Sequence, residues 1–281
     1  MFNRLAIVGI GLIGGSFGLA VRRANLAREI VGVARRQNTL EKAVELGACD
    51  WATSDLAEAA KGADLVLLAP PVGQMESICR AIAPLVAQGA LVTDAGSTKA
   101  RIVESCEPLF KRAHFIGGHP MAGSEQTGVE AARAALFEKA TWILTPTERT
   151  DAEALARLTA IIERIGARLV AMNAARHDEV LALTSHLPHM TAAALMQTLA
   201  RRLSVDEAKP MVAGGWRDAT RIAAGGSEMW RDIALANRGA LLSALDDLSE
   251  DLAQFRAALE REDGAEIERW LERAAVLRRE F

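Results

Sequence analysis

The chain has no tyrosine, and aromatic residues make up only 4% of its 281 positions. No tyrosine hydroxyl therefore acts as an acid or base in its chemistry. Cysteine is nearly as scarce. Cys49, Cys79 and Cys106 lie far apart with no paired spacing, which excludes a disulfide framework or a cysteine-based zinc site and suits a reducing compartment. A strong charge of either sign is also missing. The net charge of -3 gives no reason to expect nucleic acid or an anionic membrane as a partner. One uncharged run, residues 5–21 after Arg4, has the look of a signal peptide but is marginal in length for a membrane span. It carries five glycines at specific offsets (Gly9, Gly11, Gly14, Gly15, Gly18), which suits a turn between folded elements better than a targeting segment. With no other long apolar run, the expected location is the cytoplasm.

Half of the residues are hydrophobic and a quarter are charged, a globular balance, and the length suggests two domains. In the first half, short apolar runs alternate with helical patterns. Strands are expected over 5–9, 29–33, 65–69, 90–94, 114–116 and 141–144, and helices over 14–24, 39–46 and 75–86. Strands alternating with helices predict a doubly wound α/β fold, a parallel sheet covered on both faces. Residues 146–151 read as a loop into a helix over 151–165 ended by Gly166, followed by a last strand over 168–172. From about residue 174 the strand pattern stops, and helices are expected over 185–202, 228–261 and 265–278. The division is thus a dinucleotide-binding domain over 1–172 and a mainly helical domain over 173–281.

Gly9-Ile10-Gly11-Leu12-Ile13-Gly14 follows an expected strand and opens an expected helix. In that context the glycines have separate tasks: Gly9 allows a tight turn, Gly11 lets backbone approach a pyrophosphate, and Gly14 lets helix and sheet pack closely. The phosphates would meet free amides at the helix N-terminus. An acidic residue holding the ribose 2′-hydroxyl should end the second strand, but Ala34-Arg35-Arg36 stands there and no Asp or Glu follows until Glu41. Two arginines suit a 2′-phosphate, which favours NADP over NAD, unless they are plain surface charges. Ala69-Pro70-Pro71 ends the third strand, as a rigid lip beside the cofactor or as an ordinary loop.

Two candidate chemical segments follow later strands. Asp94-Ala-Gly96-Ser97-Thr-Lys99 brings Gly96 near the cofactor and a hydroxyl, Ser97, that could bond a base or a reacting hydroxyl. His119 lies in Gly117-Gly-His-Pro-Met-Ala-Gly123, expected beyond a strand's carboxyl end, where open α/β sheets bind ligands. A histidine there can be a general base or a structural residue. The helical half adds His186 with His189, Gly214 through Arg217 to Arg221, and Trp230. Arginine forks suit a carboxylate substrate. A zinc site at the two histidines lacks acidic or cysteine partners, so no metal is expected.

In combination, the glycine turn, Asp94–Lys99, the Gly117–Gly123 run, Ser185-His-Leu-Pro-His189 and Trp216-Arg-Asp-Ala-Thr-Arg221 resemble the prephenate and arogenate dehydrogenases of tyrosine biosynthesis over nearly the whole chain. The resemblance implies that His119 is the catalytic base oriented by Ser97. It implies that Arg221 binds the ring carboxylate, while Glu125, His189 and Trp230 shape the substrate pocket beside Gly214 and Arg217. It also implies a homodimer built through the helical domain, a monofunctional form, and oxidative decarboxylation with hydride transfer to NAD(P). Two other readings stay open. One is a β-hydroxyacid or imine reductase, which would call on a helical-domain lysine such as Lys209. The other is a dinucleotide sensor without catalysis.

Overall fold

The computed structural model describes residues 1–124 and 126–281. Its first part runs β1 (Phe2–Val8), α1 (Leu12–Arg23), β2 (Ala27–Val33), α2 (Gln37–Glu45), β3 (Trp51–Thr53), α3 (Leu56–Ala60), β4 (Leu65–Leu68), α4 (Met75–Ile82), β5 (Leu91–Asp94), α5 (Ala100–Cys106), β6 (His114–Pro120), β7 (Thr141–Thr145), α6 (Ala152–Arg164) and β8 (Arg168–Ala171). Among the described residues the strands form one sheet in the order β3-β2-β1-β4-β5-β6-β7-β8. The central strands are continuous apolar runs because both faces are covered. Leu65 through Leu68 are all fully buried. Alternate side chains feed two cores. Leu5, Ile7 and Leu67 pack with Phe17, Phe137 and Trp142 on one face, and Ala6, Val66 and Leu68 pack with Met75, Ile82 and Ile102 on the other.

The uncharged run at 5–21 is therefore a buried strand, a turn and a helix. Among the described residues, no helix is long and apolar enough to cross a membrane. Helix boundaries follow local chemistry. Asp151 caps α6 by accepting from the Ala154 amide at 2.8 Å, and Gly166 ends it at φ +93°.

The sheet departs from the expected all-parallel arrangement at one pairing, which reverses its last two strands. β6 pairs antiparallel to β7, with Gly117 opposite Thr145 and His119 opposite Ile143, and β8 then runs parallel to β7. A parallel crossover needs a dozen or more residues, usually a helix. Between β6 and β7 the described residues hold only a short 3-10 turn, Val129–Ala131, so the chain doubles back. The doubling back also lengthens β6. His119 thus lies inside a strand, not beyond its end, although it is past the last pairing with β5 at Thr93–Ile116. The three-residue edge strand β3 was not anticipated.

The second part holds α7 (Ala174–Leu181), a π-helical turn (Ala182–His186), α8 (Leu187–Ala200), α9 (Val205–Ala208), α10 (Gly214–Thr220), α11 (Ser227–Ala236), α12 (Arg238–Glu260) and α13 (Gly264–Arg278). The single helix expected over 228–261 is two helices. Asn237, at φ −106° and ψ 31°, breaks it, and its buried side chain turns toward other elements. The π-turn lets α7 run into α8, with Pro188 in the first turn of α8.

Candidate active site

The turn between β1 and α1 opens into a cleft of about 450 Å³. Its lining includes Gly9 and Gly11 from that turn, Ala34, Arg35 and Arg36 from the end of β2, and Ala69, Pro70 and Pro71 from the end of β4. Gly9 has φ +93°, and a Cβ there would come within 2.6 Å of the Ala69 backbone, so only glycine fits. A Cβ on Gly14 would come within 2.4 Å of the Gly9 carbonyl oxygen. Gly11 differs, since a Cβ there would meet no protein atom within 4 Å. Packing does not demand that glycine, whereas an approaching phosphate would. Leu12 and Ile13 form the first turn of α1. Thr39 and Ser54, which sequence reasoning missed, add two hydroxyls beside the arginines. The cradle fits a dinucleotide.

Gly96 lies in the loop after β5. Its amide donates to Asp94 Oδ2 at 2.8 Å, and a Cβ there would come within 2.8 Å of Ile102. Asp94 Oδ1 accepts from the Gly118 amide at 3.0 Å, and Lys99 Nζ donates to the Gly118 carbonyl at 2.8 Å and to Asp94 Oδ2. Asp94 and Lys99 are both fully buried. Beyond Ile116, where β5 and β6 stop pairing, this ion pair supplies the bonds that the ladder no longer makes. A Cβ on Gly118 would come within 2.7 Å of the Asp94 carbonyl oxygen, so the residue before His119 has no room for a side chain.

His119 is buried, with its Nδ1 2.9 Å from His177 Nε2. His177 Nδ1 is 2.8 Å from Asp178 Oδ1. Asp178 also accepts from the Lys99 amide at 2.7 Å and the Ala100 amide at 2.9 Å, so α7 caps the start of α5. Burial, with His177, Lys99 and His186 adding to it, holds the His119 imidazole well below its ordinary value and keeps it neutral. Burial likewise lowers Lys99, against the pull of Asp94. Ser97 sits half-buried in the same region, and among the described residues its hydroxyl makes no hydrogen bond, so the partner on His119 Nδ1 is His177.

From the helical side, Asn237 Nδ2 donates to the Asp178 carbonyl at 2.7 Å and lies 3.1 Å from His186 Nδ1. Burial lowers His186 to about 4. His189 stacks on Trp230, ring centroids 3.6 Å apart and planes 15° apart. Arg217 and Arg221, both exposed, line an open hollow of about 770 Å³ with Trp216 and Gln197, and His119 is not part of that lining. Gly214 starts α10 beside it, and Glu125 lies outside the described residues. No group of three or more His, Cys, Asp or Glu among the described residues is placed to hold a metal.

Residues 17–171 match the family described as prephenate dehydrogenase, nucleotide-binding domain, and residues 173–273 match prephenate dehydrogenase, dimerization domain. The chain belongs to the prephenate dehydrogenase family. It is similar to the cyclohexadienyl dehydrogenase of Zymomonas mobilis, 36% identical over 94% of this chain and 91% of that protein. Its fold matches a prephenate dehydrogenase from A. aeolicus, solved with hydroxyphenyl propionate and NAD+, at a TM-score of 0.92 and 34% identity, covering 100% of this chain and 98% of that one. An arogenate dehydrogenase from Synechocystis matches at a TM-score of 0.83 and 35% identity, over 99% of each chain.

Within this family member, His177 and Asp178 were not singled out from the sequence. The available signal was a polar pair on the same helix as Leu181, in positions that the fold buries. Asp94 and Lys99 were visible as the ends of a motif, but their pairing across Gly118 depends on the divergence of β5 and β6.

Proposed function

We propose that the chain catalyses oxidative decarboxylation of a cyclohexadienyl acid of the prephenate or arogenate type, on the route to tyrosine. The observation that carries this reading is a buried imidazole on β6, its Nδ1 2.9 Å from His177, in a chain that matches the family over residues 17–171 and 173–273. His119 takes the proton from the ring hydroxyl as a carbonyl forms at that carbon. When bound, the nicotinamide supplies the acceptor for the hydride that leaves the same carbon. The ring carboxylate departs as carbon dioxide, driven by aromatisation. Arg221 grips that carboxylate and sets the ring's orientation, with Arg217 and Gly214 beside it, which is catalysis by positioning. His189, Trp230 and Glu125 shape the substrate pocket, and Ser97 acts on the reacting hydroxyl.

Gly9, Gly11, Leu12, Ile13 and Gly14 hold the pyrophosphate, with Ala69, Pro70, Pro71 and Gly96 along the edge. Ala34, Arg35 and Arg36 favour NADP over NAD, because the arginines border the cleft where NAD-binding chains place an acidic residue. The division is residues 1–172 for the dinucleotide and 173–281 for substrate and dimerisation. Exposed Leu242, Leu252 and Leu259 on α12, with Leu271, Val276 and Leu277 on α13, support a homodimer through the helical part.

The test is reduced-cofactor formation with prephenate and with arogenate, each with NAD and with NADP. Carbon dioxide release in step with cofactor reduction for at least one pair is the expected result. Tight cofactor binding with no turnover of either acid would favour a sensor.

A further inference from the structure

The two links that join His119, His177 and Asp178 fix where protons sit. An ionised carboxylate only accepts, so His177 Nδ1, 2.8 Å from Asp178 Oδ1, carries a hydrogen. With its one hydrogen on Nδ1, His177 has a bare Nε2. The 2.9 Å contact between His177 Nε2 and His119 Nδ1 needs one donor and one acceptor, so the hydrogen belongs to His119 Nδ1. That leaves the lone pair of His119 on Nε2, the nitrogen that His177 does not occupy. The opposite tautomer would put a proton on Nε2 and leave no base.

We infer that His177 and Asp178 are positioning residues for the reaction, a relay that fixes His119 as the Nδ1–H tautomer with Nε2 free to accept the substrate proton. Asp178 is held for this task by three further contacts. The Lys99 and Ala100 amides donate to its carboxylate, and Asn237 Nδ2 donates to its carbonyl. These contacts tie α7 to the start of α5 and to the α11–α12 break. The base is therefore tuned from the helical part of the chain although it sits on the sheet. The charged and titratable groups around it are His177 and Asp178 on α7, Lys99 and Asp94 beside β6, and His186 on the π-turn. Once His119 gains the substrate proton, its Nδ1–H still donates to His177, so the imidazolium keeps its partner without a proton leaving the relay.

The inference rests on His119 being the base, and the two ideas fail separately. Turnover retained in His119→Asn removes the base. An inactive His119→Asn beside a fully active His177→Phe removes the relay alone. The experiment is steady-state kinetics of His177→Phe and His177→Gln in the full chain, using whichever acid and cofactor the unaltered protein turns over, together with the imidazole nitrogen NMR spectrum of the unaltered protein. His177→Phe keeps the α5 cap but removes the acceptor, so kcat is expected to fall about tenfold or more with KM changed by less than about threefold. Glutamine can donate its amide to Asp178 and turn its oxygen to His119 Nδ1–H, so His177→Gln should recover most of that loss. The spectrum should show His119 protonated at Nδ1, a readout that holds even if a variant fails to fold. A His119 protonated at Nε2, wild-type kcat in His177→Phe, or equal losses in the phenylalanine and glutamine variants would overturn the inference.

Discussion

Lys99 and Asp94 hold the Gly118 peptide from both sides, the lysine on its carbonyl and the aspartate on its amide, while bonded to each other in the interior. Removing one partner leaves the other as an uncompensated buried charge, which typically costs about 3–5 kcal/mol. Lys99→Met is expected to destabilise the fold by about that amount, read as a lower midpoint in a urea titration. A loss below about 1 kcal/mol would mean that the pair is not the brace described.

Stability should fall on the acid side of neutrality. Burial lowers the His119, His186 and His189 imidazoles, so the unfolded chain binds protons at a pH where the folded chain does not. Stability from these groups is complete above their ordinary value of 6.5 and declines as pH drops below it, for His186 down to about 4. Denaturation midpoints measured across that range should decrease steadily, and a midpoint unchanged between about pH 7 and about pH 5 would contradict the assignment. The same depression keeps His119 able to accept a proton at mildly acid pH.

Cofactor choice is expected to turn on the end of β2. Arg35→Asp places an acceptor where a ribose hydroxyl would lie and repels a 2′-phosphate. Its kcat/KM with NADP should fall far more than with NAD. Equal losses with both would show that Arg35 does not read the 2′ position.

The sequence was most legible where one local rule decides the outcome. Gly9 and Gly14 are glycines because a Cβ would strike backbone, and the fingerprint spacing says so before any coordinates. Buried strands such as Leu65–Leu68 stand out as apolar runs. Legibility failed where partners are distant in the chain. His119 meets His177 across 58 positions, and Lys99 meets Asp178 across 79, which no periodicity encodes. The antiparallel turn into β7 was hidden by the rule that alternation with helices means a parallel sheet, because the segment before β7 has no helix of crossover length. The break at Asn237 was hidden because α11 and α12 together keep an unbroken helical pattern.

In the proposed reaction His119 removes the hydroxyl proton while other residues bind and orient the substrate. Comparing kcat for His119→Asn with the unaltered chain, alongside cofactor affinity by fluorescence titration, tests it most directly. His119→Asn should lower kcat at least about 100-fold with cofactor affinity unchanged. Turnover close to that of the unaltered chain, in a variant that binds cofactor normally, would contradict it.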